Sequence, residues 1–499
     1  MHTIDAAVNS RSHRGIARWA LAALSGVLLT SIYPPFGVSI FGWVALTPLI
    51  LALDGVGACG GFLLGWFTGT IGVLGVTGFW IFRAARDYFQ LSPLGAALFT
   101  TAVTQVFVSL YFGLFGAAAA MAVGRRHRLL LIPALFVAAE YARAHLLSGC
   151  PWGLLGQSQL HPVLMQICDV TGVYGLSFLL ALSATAVADI RQTRTPIAIV
   201  APVILLVCAY GSWRLANFPA TPGATLRVAM VQGDLPNEQR GLPEFFAAHL
   251  DRYLELTRQA AWPPPQLIVW PENAIGFFPA ENPALLEPIT DQLRAEHAAL
   301  LAGAPRAGEQ PDVAAIHNSA YLFTGDGIAS VYDKRVLLPF VERVPLRPED
   351  GPYLPGTDPT IFSVASTRFG TLICYEAIYP ELARELVNRG AQFLVNISND
   401  SWFAAGAGPQ QHYEIVRFRA VENRVSLVRV TNSGVSAVVD PAGREVIRLP
   451  SGTATAQSAS VPIGTGGSFY TRHGDLFAMA CIALSLGALV VRALGHLPH

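Results

Sequence analysis

The sequence predicts a chain of two parts with different fold classes: a multi-pass α-helical membrane domain of about eight spans, and an extramembrane α/β sandwich domain. Hydrophobic residues make up 52% of the 499 residues and charged residues 13%. The mean hydropathy of +0.44 is too high for a soluble chain of this length. Long apolar segments fill the first part of the chain and return near its end, whereas short apolar runs alternate with amphipathic stretches between them.

Eight apolar segments make up the predicted membrane domain. They lie at about 16–33, 37–54, 57–82, 90–123, 129–146, 163–188, 196–213 and 474–493. Most reach the roughly 20 residues that a helix needs to cross a bilayer. Arginines precede the first segment, as in a signal peptide, but no clear small-residue cleavage site follows "SIYPPFG" and another apolar segment begins at once. We therefore predict an uncleaved helix.

Arginines predict the orientation of these segments, because cytoplasmic loops of membrane proteins collect Lys and Arg. With a cytoplasmic N-terminus, nine arginines fall on that side: Arg11, Arg14, Arg18, Arg125, Arg126, Arg128, Arg191, Arg194 and Arg492. The short outer loops then hold little more than Arg83 and Arg86. We predict transmembrane helices 1–7 within 1–213, an extramembrane domain at 214–473 on the outer side, and helix 8 with a cytoplasmic tail at 474–499.

The extramembrane domain is predicted to alternate strands with helices. Runs of β-branched and apolar residues predict strands at 225–234, 265–274, 300–305, 318–323, 328–334, 368–376, 391–400, 426–434 and 435–446. Helical periodicity and Pro–Gly punctuation predict helices at 243–262, 283–299, 380–390 and 409–425. The turn sequence "TGDG" between two of the strands predicts a hairpin. This pattern is typical of a layered α/β sandwich.

Three apolar strands end in residues that could react: Glu272 in "LIVWPEN", Lys334 in "SVYDK" and Cys374 in "TLICYE". Strand ends at one edge of a sheet are where α/β folds build their sites. A cysteine nucleophile needs a base to take its proton and a positive group to stabilise the oxyanion, which a Glu and a Lys can supply. Taken singly, a cysteine is more often a small buried hydrophobe, and Glu and Lys are mostly surface residues. The joint pattern favours a catalytic cluster.

Other kinds of site have little support in the sequence. Cys374 is the only one of the six cysteines between 215 and 473, so it cannot form a disulfide within that region, and no CxxC spacing suggests a metal site. His317 and His412 lie outside the three strand-end motifs, so a Cys–His pair is not indicated. We expect no metal, nucleotide or flavin site, and the zero net charge does not suggest a nucleic-acid partner.

The sequence around these residues resembles a known family. "WPENA", "YDKRVLLPF" and "LICYE" look like the Glu–Lys–Cys motifs of the carbon–nitrogen hydrolase (nitrilase) superfamily. Together with the apolar segments, the chain resembles one branch of it, the apolipoprotein N-acyltransferases. Further matching motifs are "PWGLLGQSQ", "GVYGLSFLL", "VAMVQGD", "LLPFVERVP", "NISNDSWF", "GPQQHYEIVRFRAVENR" and "TNSGVSAVVDPAG". The resemblance implies an α-β-β-α sandwich, a monomer, no cofactor, and a place in the bacterial cytoplasmic (inner) membrane with the catalytic domain on the periplasmic side.

The resemblance also implies a two-step reaction. A phospholipid, phosphatidylethanolamine by expectation, gives an acyl chain to Cys374 as a thioester, and the free amine of a diacylglyceryl-cysteine apolipoprotein then takes it as an amide. Glu272 would be the general base and Lys334 the oxyanion donor. The remaining family positions, with supporting or substrate-binding roles, are Glu342, Tyr375, Glu376 and Trp402.

Two alternatives and some departures accompany this interpretation. A membrane-anchored amidase or nitrilase would share the triad but would not explain the seven preceding spans, and a non-catalytic lipid-binding scaffold would be expected to lack a triad residue. The family often has His at Val336, Gly at Val341, and a Trp in the loop 235–244 that is missing here. Glu140 and Arg143, three residues apart in the fifth segment, could form an ion pair that orients helices or have a function of their own.

Overall fold

The computed structural model describes residues 2–122, 127–147, 149–190, 193, 195–218, 224–239, 241–260, 263–308, 316–344, 351–403, 406–464 and 466–494. Arg125, Arg126, Arg191 and Arg194 lie outside these residues, as do the side chains of Arg11 and Arg14. The chain divides into two compact units. Unit 1 comprises 1–216, 405–411 and 475–499, and unit 2 comprises 217–404 and 412–474.

Unit 1 is helical. Its helices are α1 (His2–Ser31), α2 (Thr47–Ala52), α3 (Ala58–Val73), α4 (Phe79–Asp87), α5 (Pro93–Thr104), α6 (Leu110–Ala122), α7 (Arg128–His145), α8 (Pro162–Met165), α9 (Cys168–Thr171), α10 (Val173–Asp189), α11 (Thr195–Ala216) and α17 (Leu476–Leu494). Two π-helical turns, Leu74–Gly78 and Gln105–Ser109, join α3 to α4 and α5 to α6. Each joined pair therefore forms one helix of 30 residues.

Three helices of the described residues are long and apolar enough to cross a membrane: Ala58–Asp87, Pro93–Ala122 and Thr195–Ala216. A fourth span is possible if the pair Pro162–Thr171 and Val173–Asp189, bent by 115°, counts as one. Shorter apolar helices cover Gly15–Ser31, Ser39–Ala52 and Leu476–Arg492. These helices fit a membrane protein with three to four candidate spans, and the figure of about eight stays a prediction.

Small residues bring the two 30-residue helices of unit 1 close together. A Cβ added to Gly65 would lie 2.2 Å from the carbonyl oxygen of Phe112, and one added to Gly61 would lie 2.4 Å from that of Gly116. Glycine is therefore required at this crossing, as in the small-residue interfaces of membrane helices. The end of α7 is held differently: Arg143 donates to the carbonyls of Trp152 and Gly153 at 2.9 and 3.0 Å.

Unit 2 contains the strands and the remaining helices. The strands are β1 (Ala224–Gln232), β2 (Leu267–Val269), β3 (Ala299–Ala307), β4 (Ile316–Thr324), β5 (Gly327–Asp333), β6 (Ile361–Val364), β7 (Thr367–Ile373), β8 (Phe393–Ser398), β9 (Ser426–Thr431), β10 (Ala437–Val439), β11 (Glu445–Arg448) and β12 (Thr455–Ile463). The helices are α12 (Phe246–Ala260), α13 (Pro283–Glu296), α14 (Pro380–Asn388), α15 (Gly408–Asn423), whose first residues belong to unit 1, and α16 (Phe469–His473).

The strands form two six-stranded sheets, in the orders β12-β1-β2-β3-β4-β5 and β11-β10-β9-β8-β7-β6. Apolar side chains from both sheets, among them Val228, Leu301, Phe369 and Val428, form one buried core. A second core lies between the first sheet and α12 and α13, while α14 packs on β7 of the second sheet. The predicted layered α/β sandwich is confirmed.

The parallel strands explain how distant residues are brought together. β1, β2 and β3 are parallel in the first sheet, and β7, β8 and β9 are parallel in the second. The carboxyl ends of parallel strands meet at one edge of a sheet. Glu272 follows β2, Cys374 follows β7, and the loop 399–403 follows β8. These chain segments supply most of the candidate site.

Candidate active site

Cys374 directly follows the apolar strand β7 and begins a 3-10 helix, Cys374–Ile378. Its φ of +53° is the left-handed conformation, which costs a non-glycine residue roughly 1–3 kcal/mol and persists only where the surroundings hold it. The residue is 4% exposed. Burial and the charge of Glu272 raise the pKa of the thiol, although Lys334 opposes the rise. The thiol is therefore protonated at neutral pH and needs a base before it can react.

Lys334 follows β5 and lies between two carboxylates. Its Nζ is 2.8 Å from Oε1 of Glu342 and 3.4 Å from Oε1 of Glu272, and all three side chains are buried. Burial alone would lower the pKa of Lys334, but the charges of Glu342 and Glu272 raise it well above its ordinary value. The ammonium is therefore a fixed positive charge, as the stabilisation of an oxyanion requires.

Glu272 is held by groups from three other chain segments. Its Oε2 accepts a hydrogen bond of 2.8 Å from the backbone N–H of Asn399, and its Oε1 accepts one of 2.8 Å from Asn318 Nδ2. Gly303 on β3 leaves room for its backbone, because a Cβ there would lie 2.6 Å from the Glu272 Cα. The carboxylate is thus fixed in one orientation, with its charge acting on both Lys334 and the thiol.

Asn318 on β4 joins the two carboxylates, and the sequence interpretation missed it. Its Nδ2 donates to Oε1 of Glu272 and to Oε1 of Glu342, each at 2.8 Å. Glu342 is further held by the backbone N–H of Leu338, which donates to Oε2 at 2.7 Å. An amide that donates to two buried carboxylates satisfies acceptors that would otherwise need a partner in the interior. The strand segment "NSAYLF" carried no signal of this role, because an asparagine in a strand has no chemical signature by itself.

Glu376 binds the backbone on both sides of the site. It accepts hydrogen bonds from the backbone N–H groups of Ile373, Arg335 and Val336, at 2.8, 2.7 and 3.1 Å, and from the Tyr332 hydroxyl at 2.8 Å. Burial raises its pKa, although these N–H groups and the charge of Lys334 oppose the rise. Glu376 therefore ties the turn that carries the cysteine to the loop that carries the lysine, which is a supporting role.

The two aromatic residues in the predicted set each pack against a neighbouring aromatic ring. The ring of Tyr375 lies edge-on to that of Tyr379, with centroids 5.2 Å apart, and the ring of Trp402 stacks on Phe403 at 3.9 Å. Tyr375 and Trp402 are both half-buried. The structure thus brings Glu272, Lys334 and Glu342 into direct contact. The charges of Glu272 and Lys334 both act on the thiol of Cys374. The structure also places Tyr375 and Glu376 beside the cysteine in the same 3-10 helix.

This arrangement can perform covalent catalysis at a carbonyl carbon. It provides a thiol, a carboxylate fixed nearby, and a buried ammonium with a raised pKa. An acyl-transfer reaction needs a nucleophile, a base and an oxyanion donor, and side chains of these three kinds are present here. Among the residues that the structure describes, no group of three or more His, Cys, Asp or Glu side chains is placed to hold a metal ion.

Comparisons with known proteins agree with both units. Residues 227–470 match the carbon-nitrogen hydrolase family, and residues 25–186 match the apolipoprotein N-acyltransferase N-terminal domain family. A protein of Geobacter metallireducens called apolipoprotein N-acyltransferase is 36% identical, with 95% of each chain covered. Proteins of the same name from Shewanella oneidensis and Azotobacter vinelandii are 29% and 32% identical, with 98% and 86% of each chain covered. A solved amidase from Nesterenkonia sp. is 20% identical, with 52% of this chain and 97% of that chain covered and a TM-score of 0.39.

Proposed function

This chain belongs to the apolipoprotein N-acyltransferase family, and from that premise we propose that it moves an acyl chain from a phospholipid to a lipoprotein. The acceptor is the free α-amine of an N-terminal cysteine that already carries a diacylglyceryl group. The single observation that carries the proposal is the buried cluster of Cys374, Glu272 and Lys334, at the strand ends of a nitrilase-type sandwich. It supplies each group that the two steps need.

In the first step, Glu272 removes the proton of the Cys374 thiol and the sulfur attacks the ester carbonyl of the phospholipid. Lys334 stabilises the tetrahedral oxyanion, a contribution typically worth about 10²–10³ in rate. The carbon–oxygen bond of the ester breaks, and the protonated Glu272 gives its proton to the departing alkoxide. The products are a thioester on Cys374 and a lysophospholipid.

In the second step, the amine of the acceptor attacks the thioester carbonyl, and Lys334 again stabilises the oxyanion. Glu272 takes a proton from the attacking amine while the carbon–sulfur bond breaks. The proton returns to the sulfur, so Cys374 regains its thiol and the lipoprotein leaves as an amide. An amidase with the same triad would use water in this step, and that choice of acceptor separates the two activities.

The other four predicted residues support this chemistry. Glu342 shares Lys334 and Asn318 with Glu272, so it would fix the ammonium and balance its charge. Glu376 would keep the cysteine turn and the lysine loop in register. Tyr375 and Trp402 would contact the lipid substrates, because both residues are partly exposed: Tyr375 follows the cysteine directly, and Trp402 lies in the loop 399–403 whose Asn399 N–H binds Glu272.

Both substrates are lipid-anchored, so the site must lie close to a membrane surface. We propose about eight spans in the inner membrane, within 1–213 and 474–499, and a periplasmic catalytic domain at 214–473. The arginine distribution supports this orientation. We further propose that the protein acts as a monomer without a cofactor and that phosphatidylethanolamine is its donor.

Intact-protein mass spectrometry tests the proposal. The purified full-length protein is incubated in detergent micelles with phosphatidylethanolamine, or with phosphatidylglycerol for comparison, and Cys374→Ala serves as the control. We expect a mass gain of one acyl chain that is absent from the variant and is lost when a diacylglyceryl peptide with a free N-terminal cysteine is added. Loss of the adduct to water alone at the same rate would favour the amidase, and an adduct in the variant would refute Cys374 as the nucleophile.

A further inference from the structure

A second charged cluster lies next to the nucleophile, and the mechanism above does not use it. We call Ser398, Asp400, His412 and Arg429 the Asp400 cluster. Arg429 Nη2 donates to Oδ2 of Asp400 at 2.7 Å, and His412 Nδ1 lies 3.1 Å from Oδ1. The Ser398 hydroxyl donates to Oδ1 at 2.9 Å. All four residues are buried, with exposed fractions of 0–1%.

In the Asp400 cluster, Asp400 is charged and His412 is neutral. Burial opposes the charge of Asp400, but Arg429 and His412 hold the pKa of this carboxyl well below its usual range. Burial and the charge of Arg429 lower the pKa of His412, so its ring is neutral at neutral pH. The cluster thus contains one carboxylate and one guanidinium, with the carboxylate directed at a serine hydroxyl. A buried ion pair of this kind adds little to folding stability, because the cost of removing two charges from water offsets their attraction. We therefore look for a role of the pair in the site.

Strand register places the Asp400 cluster against the thiol. β7 and β8 are parallel, and Ile373 pairs with Ile397, so Cys374 and Ser398 are the next residues of the two strands. The Ser398 side chain therefore lies beside that of Cys374 at the ends of neighbouring parallel chain segments. A hydroxyl has one proton, and here Asp400 accepts it, which leaves the lone pairs of the oxygen for the thiol proton.

The cluster also holds the backbone of the nucleophile. Arg429 Nη1 donates to the Asn396 side-chain oxygen, and Asn396 Nδ2 donates to the carbonyls of Leu372 at 2.9 Å and Cys374 at 3.5 Å. The left-handed φ of Cys374 requires such external support. The backbone of the nucleophile is therefore connected to the same buried guanidinium that holds Asp400.

We propose that Asp400, held by Arg429 and His412, is a positioning residue for the nucleophile: it fixes the Ser398 hydroxyl as the acceptor for the Cys374 thiol and so orients the sulfur for attack. This inference rests on the acyl-transfer function proposed above. The charged groups that act on the thiol are then Glu272, Lys334 and Asp400. The charge of Asp400 adds to burial and to the charge of Glu272 in keeping the thiol protonated in the resting enzyme, and Glu272 removes the proton when the substrate is bound.

Two measurements on the full-length protein test the proposal. The first is the rate at which iodoacetamide alkylates Cys374, read from its tryptic peptide by mass spectrometry. The second is the rate of thioester formation from phosphatidylethanolamine. The charge of Asp400 raises the pKa of the thiol, so the isosteric Asp400→Asn should alkylate about threefold to tenfold faster at pH 8. It should nevertheless form the thioester about tenfold to a hundredfold more slowly, with an unchanged KM for lipid.

Asp440→Asn is the matched control, because Asp440 is another buried carboxylate paired with an arginine, Arg444, at 2.7 Å. It should leave both rates within twofold of wild type. Equal alkylation rates in Asp400→Asn and wild type would overturn the proposal. If the wild type itself forms no thioester, the acyl-transfer function fails, and the alkylation rates still decide whether Asp400 acts on the thiol.

Ser398 provides a second pair of variants in case Asp400→Asn fails to fold. Ser398→Ala keeps every charge of the cluster but removes the acceptor for the thiol. We expect its thioester formation to fall about tenfold and Ser398→Thr, which keeps a hydroxyl, to recover most of the loss. Thioester formation at the wild-type rate in Ser398→Ala would show that the hydroxyl does not orient the sulfur, and would overturn the proposal.

Discussion

The thiol of Cys374 lies among ionised groups but is itself neutral. Burial is the main reason, and the carboxylates of Glu272 and Asp400 add to it, while the ammonium of Lys334 acts in the opposite sense. A neutral thiol is a poor nucleophile, which protects a buried cysteine from unwanted reactions. The proposed mechanism therefore requires that the proton is removed at the moment of attack, because the resting thiol is not ionised.

This charge state predicts the pH dependence of alkylation. A group whose pKa is raised stays protonated to higher pH, so the thiolate fraction of Cys374 should still grow about tenfold per pH unit between pH 8 and pH 10. An ordinary thiol, with a pKa of about 8.5, levels off in that range. The iodoacetamide rate of the Cys374 peptide, compared with that of the exposed Cys59 in the same protein, gives the answer. A plateau near pH 8.5 for both peptides would contradict a raised pKa.

Asn318 offers a sharper test of the two carboxylates. Asn318→Asp would place a third carboxylate against Glu272 and Glu342 in place of a donor, so repulsion between like charges would replace two hydrogen bonds. We expect thioester formation to fall at least about a hundredfold, and Asn318→Ala to fall about tenfold because only the hydrogen bonds are lost. The rate in a stopped reaction, measured by mass spectrometry, distinguishes the two. Equal losses would show that the charge balance does not matter.

Single residues were predictable where a strand end and a reactive side chain coincided. Glu272, Lys334 and Cys374 each follow an apolar run in the sequence, and the folded strands bring their charges together. Asn318 and Ser398 lie within strands that read as ordinary sheet segments, so their contacts depend on register that the sequence does not show. Their catalytic assignments, like those of the triad, stay predictions until the variants are measured.

Among the structural elements, the short turn after β7 carries Cys374 and is held in place through Glu376. Four donors converge on the buried carboxylate of Glu376, and three of them are backbone N–H groups, one at the end of β7 and two in the loop after β5. Hydrogen bonds to a charged acceptor contribute about 1.5–3 kcal/mol each, and donors left unsatisfied in the interior are costly. The turn is therefore held by one side chain rather than by a regular ladder.

Glu376→Ala should lower both stability and activity. It leaves the N–H groups of Ile373, Arg335 and Val336 without their acceptor, for which we expect a loss of about 3–5 kcal/mol. Thermal unfolding in detergent gives the size of the loss. Glu376→Gln keeps one carbonyl acceptor and should lose about half as much. An unchanged melting temperature in Glu376→Ala would show that water replaces the carboxylate without cost.

Helices and strands were predictable from the sequence where their own residues determine the secondary structure. Helices α12 and α14 and the hairpin of β4 and β5 follow from amphipathic periodicity and the turn "TGDG". Strands β6 and β12 were missed. β12 is a run of small and polar residues, "TAQSASVPI", that becomes a strand because all nine positions pair with β1 at the sheet edge. Its conformation is imposed by its partner and is not visible in its own sequence.

At the scale of the whole molecule, the apolar helices of unit 1 and the sandwich of unit 2 were both expected from composition. The number of spans does not follow from length alone, because several apolar helices are shorter than a bilayer requires or are broken, such as Pro162–Thr171 and Val173–Asp189. Periodicity and hydropathy do not reveal where such helices bend.

The proposed orientation can be checked with engineered cysteines. Ser451, exposed in the loop between β11 and β12, should lie in the periplasm, and Thr193, exposed between α10 and α11, in the cytoplasm. In a background without exposed native cysteines, a membrane-impermeant maleimide should label Ser451→Cys in intact spheroplasts. It should label Thr193→Cys only after lysis. Labelling in the reverse order would invert the topology and place the catalytic domain in the cytoplasm.

Unit 1 is assembled from both ends of the chain, since α17 returns to it after unit 2 is complete. Arg492 of α17 donates to the carbonyl of Met121 at 2.6 Å, and Phe477 packs edge-on against Phe178 with ring centroids 5.5 Å apart. A ribosome therefore finishes the whole sandwich before it supplies the last helix of the bundle. The helices made first lack their contacts with α17 while about half of the protein is still being synthesised. A nascent chain that stalls within unit 2 would lack α17, and with it the contacts that Arg492 and Phe477 make in the bundle.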